Sequence, residues 1–165
     1  MESAFQFTNP ALSGLEFWIN KNFNGEKDTK IQIRMNMSVK VAKKENLNEA
    51  IVELDVEIGE KNDGIPFYIK AIEEASFRWN DELNDNMIDR LLNQNAPSLL
   101  LSYLRPIVAQ VTSASKYGTY NIPFVNFTKT MNWIKSVRYR QKSGTMNVSD
   151  FFYGESYVVY TDLLR

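Results

Sequence analysis

The chain has 165 residues, a net charge of −1, and neither cysteine nor histidine. These totals exclude disulfides, thiolate zinc sites, cysteine nucleophiles and histidine acid–base chemistry. Apolar residues make up 44% and aromatic residues 13% of the chain, which is typical of one folded domain. We therefore expect a binding protein rather than an enzyme, with no catalytic residue, no metal and no cofactor.

The first half of the chain alternates apolar and polar residues in the manner of β-strands. Ile31 to Val41 alternates without a break, and Val52 to Ile58 follows with the same period. A turn at Asp63-Gly64 leads into a third strand from Ile65 to Trp79, which is apolar on both faces and should be covered on both. An aromatic-rich stretch at 14–20 predicts one more strand, so we expect four antiparallel strands.

The second half predicts helices and an aromatic loop. Apolar residues at helical spacing near 87–92 indicate a short helix, and a longer, strongly apolar one begins at Asn95-Ala96-Pro97. An aromatic loop spans 120–127, and a basic helix is predicted from Thr128 to about Gln141. The last segment, 148–164, is apolar enough to pack on the domain.

The stretch from Asn95 to Arg105 (NAPSLLLSYLR) and the string from Ile122 to Phe127 (IPFVNF) resemble the SecB family of export chaperones. The matching residues are Tyr103 and Arg105, with Gly118-Thr119-Tyr120 and Val125-Asn126-Phe127. The upstream strands match in order and spacing, so the resemblance covers roughly residues 5–135.

This resemblance implies an α+β fold in which a four-stranded antiparallel sheet carries two main helices on one face. It also implies a homotetramer built as a dimer of dimers. The two-sided strand would supply the subunit interface, through Phe67, Ile69, Ala71 and Glu73. We expect residues 1–142 to form this domain and 143–165 to form an aromatic extension docked on it.

The function implied is that of a holdase, a chaperone that binds unfolded or non-native polypeptide in apolar grooves without ATP. Aromatic residues suit such grooves because they offer a large apolar area at low rotamer cost. The client-binding candidates are Phe17, Trp18, Phe23, Tyr120, Phe124 and Phe127.

Two classes of partner remain open for such a chaperone. Docking to the translocation motor SecA would use acidic residues on the sheet, and Glu16 is at one such position, but Lys70 stands where another acid is expected. The alternative is a chaperone dedicated to one partner, such as the antitoxin of a toxin–antitoxin module.

Other partner classes are not expected. The sequence pI of about 5.6 argues against nucleic acid, and the basic helix is better interpreted as a solvated face. The longest apolar runs are only a few residues, which excludes membrane insertion, since a bilayer span needs about 20. With no signal peptide in view, we expect a cytoplasmic protein.

Overall fold

Strict alternation along the chain places one face of every long strand in a common core. The computed structural model describes residues 3–23, 31–44, 46–62, 64–130, 137–138 and 154–161, with the backbone alone for 129–130, 137–138 and 154–161. Its strands are β1 (Phe5–Phe7), β2 (Ala11–Ile19), β3 (Ile31–Lys43), β4 (Glu49–Gly59), β5 (Phe67–Trp79), β6 (Val137–Arg138) and β7 (Gly154–Thr161). The helices are α1 (Asp85–Arg90), α2 (Ala96–Ser113) and α3 (Phe127–Thr130), with a π-helical turn at Leu91–Asn95 between α1 and α2.

The centre of the sheet is an antiparallel meander of β3, β4 and β5. Met37 lies opposite Val56, and Val52 lies opposite Ala75, so the apolar halves of the three alternating patterns meet on one face. This face is buried at most positions, while the other face carries most of the polar and charged residues. The three strands predicted from the alternation are confirmed.

Each edge of the meander carries two further strands. β1 and β2 both pair antiparallel with β5, one after the other along the same edge. On the opposite edge, β7 pairs antiparallel with the first part of β3, and β6 pairs parallel with Ala42 and Lys43. The sheet therefore has five strand positions, and the expectation of four strands is wrong. Its fifth position lies on β3 and is made by residues beyond the part that was assigned to strands.

Helical structure runs from Asp85 to Ser113 through the π-helical turn. Asn84 caps the first turn, because its side chain accepts a hydrogen bond from the amide of Met87 at 2.9 Å. The apolar side of α2 packs across β4 and β5. It contributes buried side chains at Ala96, Pro97, Leu100, Leu101, Leu104, Val108 and Thr112.

The structure corrects the expectation of two main helices. Within the described residues only α2 is long, and the predicted basic helix is represented by the short α3 at its start. Val137 and Arg138, which were expected inside that helix, pair with β3 as a strand instead. Tertiary pairing overrides helical propensity at these two positions. The rest of the predicted helix lies outside the described residues.

Candidate functional site

An apolar strip follows the outer edge of the sheet on the face that carries α2. Residues directly opposite each other in antiparallel strands point to the same face, and Phe7, Leu15 and Phe17 lie opposite the buried β5 residues Phe77, Ala71 and Ile69. We call the resulting set the edge strip. Its members are Phe5, Phe7, Leu12, Leu15, Phe17 and Ile19.

The edge strip is only partly covered, because α2 packs over β4 and β5 rather than over the strands at the edge. Phe7, Leu12 and Leu15 are 45%, 40% and 45% exposed. Contiguous exposed apolar side chains are uncommon on soluble proteins and mark interaction surfaces. The edge strip is therefore a candidate binding surface for apolar ligands.

A β-bulge brings both halves of β2 onto this face. The register shifts between Leu12 and Gly14, so that Ser13 is an extra residue and donates a long hydrogen bond of 3.4 Å to the carbonyl of Ile72. Gly14 allows the side chain of Ile72 to pack closely here, because a Cβ atom at position 14 would lie 3.2 Å from the Cδ1 atom of Ile72.

Aromatic rings connect the edge strip to the core. The ring of Phe17 lies 6.3 Å from that of Phe67, and Phe67 in turn lies 5.8 Å from Tyr120 in an edge-to-face contact. Tyr120 is buried, and burial raises the pKa of its phenol to about 12. This row of rings holds Phe17 in place beside the exposed members of the strip.

A second aromatic pair fixes the end of β2. Phe23 packs edge-on against Tyr117 with ring centroids 5.5 Å apart. The hydroxyl of Tyr117 donates to the carbonyl of Asn20 at 2.6 Å, and the buried side chain of Asn20 donates to the carbonyls of Asn62 and Ile65. These bonds tie β2 to the β4–β5 turn and to the segment after α2.

The loop before α3 presents one large apolar side chain to solvent. Phe124 is 89% exposed, although Ile122, Val125 and Phe127 around it are buried. Arg105 of α2 donates from Nη2 to the carbonyl of Pro123 at 3.0 Å, which holds the loop against the helix. An anchored loop that exposes a single phenylalanine is suited to contacting an apolar ligand.

The structure separates the six predicted client-binding residues. Phe17 and Phe23 are half-buried, and Phe124 is openly exposed. Trp18 lies opposite Tyr68 on the other face of the sheet, so it cannot share a groove with Phe17. Tyr120 and Phe127 are buried and belong to the core.

Three exposed members of the edge strip were missed. Phe7, Leu12 and Leu15 lie outside or at the margin of the aromatic stretch that was singled out in the sequence. The spacing of Leu15, Phe17 and Ile19 was a usable signal for the second half of the strip. The bulge hides the connection to Leu12, because it shifts the period by one residue.

The four residues predicted to form a subunit interface lie inside the chain itself. Phe67, Ile69, Ala71 and Glu73 are buried on the face of β5 that α2 covers. One chain therefore already covers these side chains, and their part in a subunit interface stays a prediction.

The opposite face of the sheet carries charges that are paired with one another. The amine of Lys70 lies 2.8 Å from Glu57 and 3.1 Å from Asp55, and these hydrogen bonds hold the pKa of Lys70 above its usual range. Lys40 pairs with Glu53 at 2.5 Å, and Lys61 pairs with Glu16. The acidic residues on this face are therefore largely compensated by neighbouring lysines.

The described ranges contain no group of acidic residues placed to hold a metal ion. No helix in the described part of the chain is both long and apolar enough to cross a membrane.

Comparison with known proteins identifies a family and solved structures that resemble this chain. The family described as preprotein translocase subunit SecB matches residues 17–133. No curated protein matches the chain. A SecB-like chaperone from Mycobacterium tuberculosis, solved in complex with a ChAD peptide from the HigA1 antitoxin, has a TM-score of 0.61 at 10% identity. The match covers 74% of this chain and 91% of that one, and it shows the same fold.

A second similar structure is a protein of unknown function from Streptococcus agalactiae, with 12% identity. The match covers 73% of this chain and 97% of that one. Its TM-score of 0.40 is too low to bear on the fold.

Proposed function

The chain belongs to the SecB family, and on this premise we propose that it is an ATP-independent holdase that binds unfolded polypeptide. The observation that carries the proposal is the exposed edge strip. Unfolded chains expose apolar side chains, and an apolar surface on the chaperone can bury them reversibly. Phe124 on its anchored loop adds a second apolar contact.

The proposed activity requires neither catalysis nor a cofactor. Burial of apolar area yields roughly 25 cal/mol per Å², so several leucine and phenylalanine contacts can hold a client while each remains weak. Weak contacts of this kind favour release without ATP hydrolysis. A cytoplasmic setting, where unfolded chains emerge, belongs to the same proposal.

A homotetramer arranged as a dimer of dimers is also part of the proposal. β2 pairs only with β5 among the described strands, which leaves its outer edge open to another strand. On α2, Leu99 and Ile107 are half-buried and Tyr103 is 41% exposed, so the helix keeps a partly apolar outer side. Two self-complementary surfaces on one chain are what a dimer of dimers requires.

A second candidate function is that of a chaperone that binds one dedicated partner, such as an antitoxin. The structurally similar chaperone from M. tuberculosis was solved with an antitoxin peptide, which supports a polypeptide client of this kind. On the outer face of the sheet, Lys70 engages Asp55 and Glu57. This pairing leaves little uncompensated acid for docking to SecA, so we favour a chaperone that acts without that motor.

The test is suppression of aggregation of a chemically denatured client at near-stoichiometric ratio, followed by light scattering. We expect the double variant Leu15→Asn/Phe124→Ser to lose most of the suppression. The matched control is Leu47→Asn, because Leu47 is 58% exposed in the β3–β4 turn, away from the edge strip, and should retain full activity.

Two results would count against the proposal. A folded wild-type protein that does not suppress aggregation would exclude a general holdase. Equal losses of aggregation suppression in the double variant and in Leu47→Asn would show that the edge strip is not the client-binding site. Isothermal titration with antitoxin peptides and with an unrelated unfolded chain separates a dedicated partner from a general client range.

A further inference from the structure

β7 pairs with the outer edge of β3, on the side away from β4. All eight residues of β7 pair antiparallel with β3, from Gly154 opposite Ser38 to Thr161 opposite Ile31. The match to the SecB family ends at residue 133, so β7 lies outside it. Within residues 17–133, the described strands place nothing on this edge of β3.

A strand edge with unpaired N–H and C=O groups binds extended polypeptide by adding it as a further strand. The β3 edge is well suited to this, because Ile33, Met35 and Met37 are buried on one face while Gln32 and Arg34 are exposed on the other. The main-chain bonds do not depend on the sequence of the added strand. The edge can therefore accept many different segments of an unfolded chain.

We propose that the β3 edge, residues 31–38, is a second polypeptide-binding site and that β7 occupies it until an extended client segment displaces it. The inference rests on the proposed holdase function. It assigns to that function a strand-accepting site distinct from the edge strip, on the opposite edge of the sheet.

Displacement of β7 is physically feasible. The segment 139–153 joins β6 to β7, and fully extended it spans about 50 Å, so β7 can leave the edge while β6 stays paired. Among the described strands, β7 pairs with β3 alone, so its departure breaks one ladder and leaves the meander of β3, β4 and β5 intact. Because β7 is tethered to the chain, its effective concentration at the β3 edge is in the millimolar range. A client segment displaces it only if the segment binds this edge more favourably than β7 does.

The experiment uses the absence of native cysteine, because two introduced thiols are then the only ones in the chain. Arg34 and Val158 are register partners, and paired Cα atoms in antiparallel strands lie within disulfide range, so Arg34→Cys/Val158→Cys should cross-link under mild oxidation. The matched control is Arg34→Cys/Thr161→Cys, because Thr161 lies opposite Ile31, about 10 Å further along.

Client binding is then measured for the cross-linked and the reduced forms, with reduced and carboxymethylated α-lactalbumin as the unfolded probe. We expect the disulfide to weaken binding by at least about tenfold, because a covalently held β7 cannot be displaced from the edge, and we expect reduction to restore binding. The wild type should respond to neither treatment. A chain that ends at Lys142 should bind the probe more tightly than the full chain does.

Several results would overturn the inference. One is failure of Arg34→Cys/Val158→Cys to cross-link in folded protein, and another is equal probe binding in its oxidised and reduced forms. A shortened chain that forms larger assemblies without binding the probe more tightly would assign the edge to a second copy instead. Each of these results is compatible with aggregation suppression by the wild type, so each would overturn this inference alone. A wild type that does not suppress aggregation would overturn the proposed function and this inference together.

Discussion

At the scale of single residues, Glu73 stands out as a carboxylate enclosed by the core. It is 2% exposed, and its Oε2 atom has no hydrogen-bond partner within the described residues. Burial raises the pKa of this carboxyl. The folded chain therefore holds the proton to a higher pH than the unfolded chain does. This contribution to stability is complete at low pH and is lost as pH rises through the raised pKa.

The first prediction is that Glu73→Gln stabilises the protein at neutral pH. A carboxylate costs more to bury without a partner than a neutral amide does, so we expect the free energy of unfolding in urea to rise by about 1 kcal/mol. The gain should shrink as pH falls through the raised pKa of Glu73 and should be lost below about 4.5, the ordinary pKa of a glutamate. Glu74→Gln, on the other face of the same strand, should change the free energy of unfolding less, and an equal gain there would contradict the explanation.

Thr112 and Tyr120 give the second prediction. The buried hydroxyl of Thr112 accepts from the amide of Tyr120 at 2.9 Å and donates to the carbonyl of Val108 at 2.8 Å. Thr112→Val leaves that amide unpaired and should lower the free energy of unfolding by about 1–3 kcal/mol. Tyr120→Phe should be neutral or slightly stabilising, because the Tyr120 hydroxyl has no partner among the described residues. Thermal melts of both variants test this contrast.

Individual residues were the hardest feature to predict from sequence. Phe124 and Phe127 belong to the same short string, yet one is 89% exposed and the other is buried. Composition cannot separate them, because exposure depends on which side of the loop faces α2. The exposed position of Phe124 follows from the buried neighbours and from the Arg105 bond, which only the structure reveals.

At the scale of elements, the β4–β5 turn depends on one glycine. Gly59 has φ of 78°, and a Cβ atom there would lie 2.2 Å from the carbonyl oxygen of Phe67. We predict that Gly59→Ala destabilises the protein by at least about 1–2 kcal/mol through the backbone alone, with the clash adding to it. Gly64→Ala is the matched control, because its Cβ would make only an ordinary contact of 3.6 Å with Asn62. If denaturant unfolding shows the same loss of unfolding free energy for both variants, the special role of Gly59 is refuted.

Elements were predictable where their pattern was long and regular. β3, β4 and β5 alternate over many residues, so period alone identified them. β1 and β6 are three and two residues long, and such segments carry no period, so their pairing is decided by the strand beside them. The predicted helix across 137–138 was wrong for this reason.

At the scale of the whole molecule, the family and the general fold were predicted from the resemblance to SecB. The match over residues 17–133 confirms the SecB assignment, and the similar fold agrees with an antiparallel sheet and a long helix. What covers the apolar face of β5 could not be predicted, because such a face has the same sequence pattern whether its own helix or another subunit covers it.

The fourth prediction concerns assembly. A dimer of dimers should have a mass of about 76 kDa by light scattering, four times the 19.1 kDa of one chain. Tyr103→Glu should reduce it to a smaller species, because a charge on the outer side of α2 opposes burial there. Ser98→Glu places the same charge at an exposed position of the same helix, about 140° round its axis from Tyr103, and should leave the mass unchanged. A strict monomer in the wild type would contradict the proposed assembly.

The extra residue in β2 also determines how the protein tolerates changes in length. Before Ser13, even positions such as Leu12 face α2, and after it odd positions such as Leu15 and Phe17 do. Parity therefore reverses at a single position within an element of nine residues. Deleting Ser13 would join the two halves into one regular alternation, because Leu12 and Gly14 already lie opposite neighbouring residues of β5, Glu73 and Ile72. Deleting a residue from the regular half, such as Glu16, would instead turn one part of the strand to the wrong side of the sheet. This strand therefore tolerates a change of length at the bulge better than elsewhere.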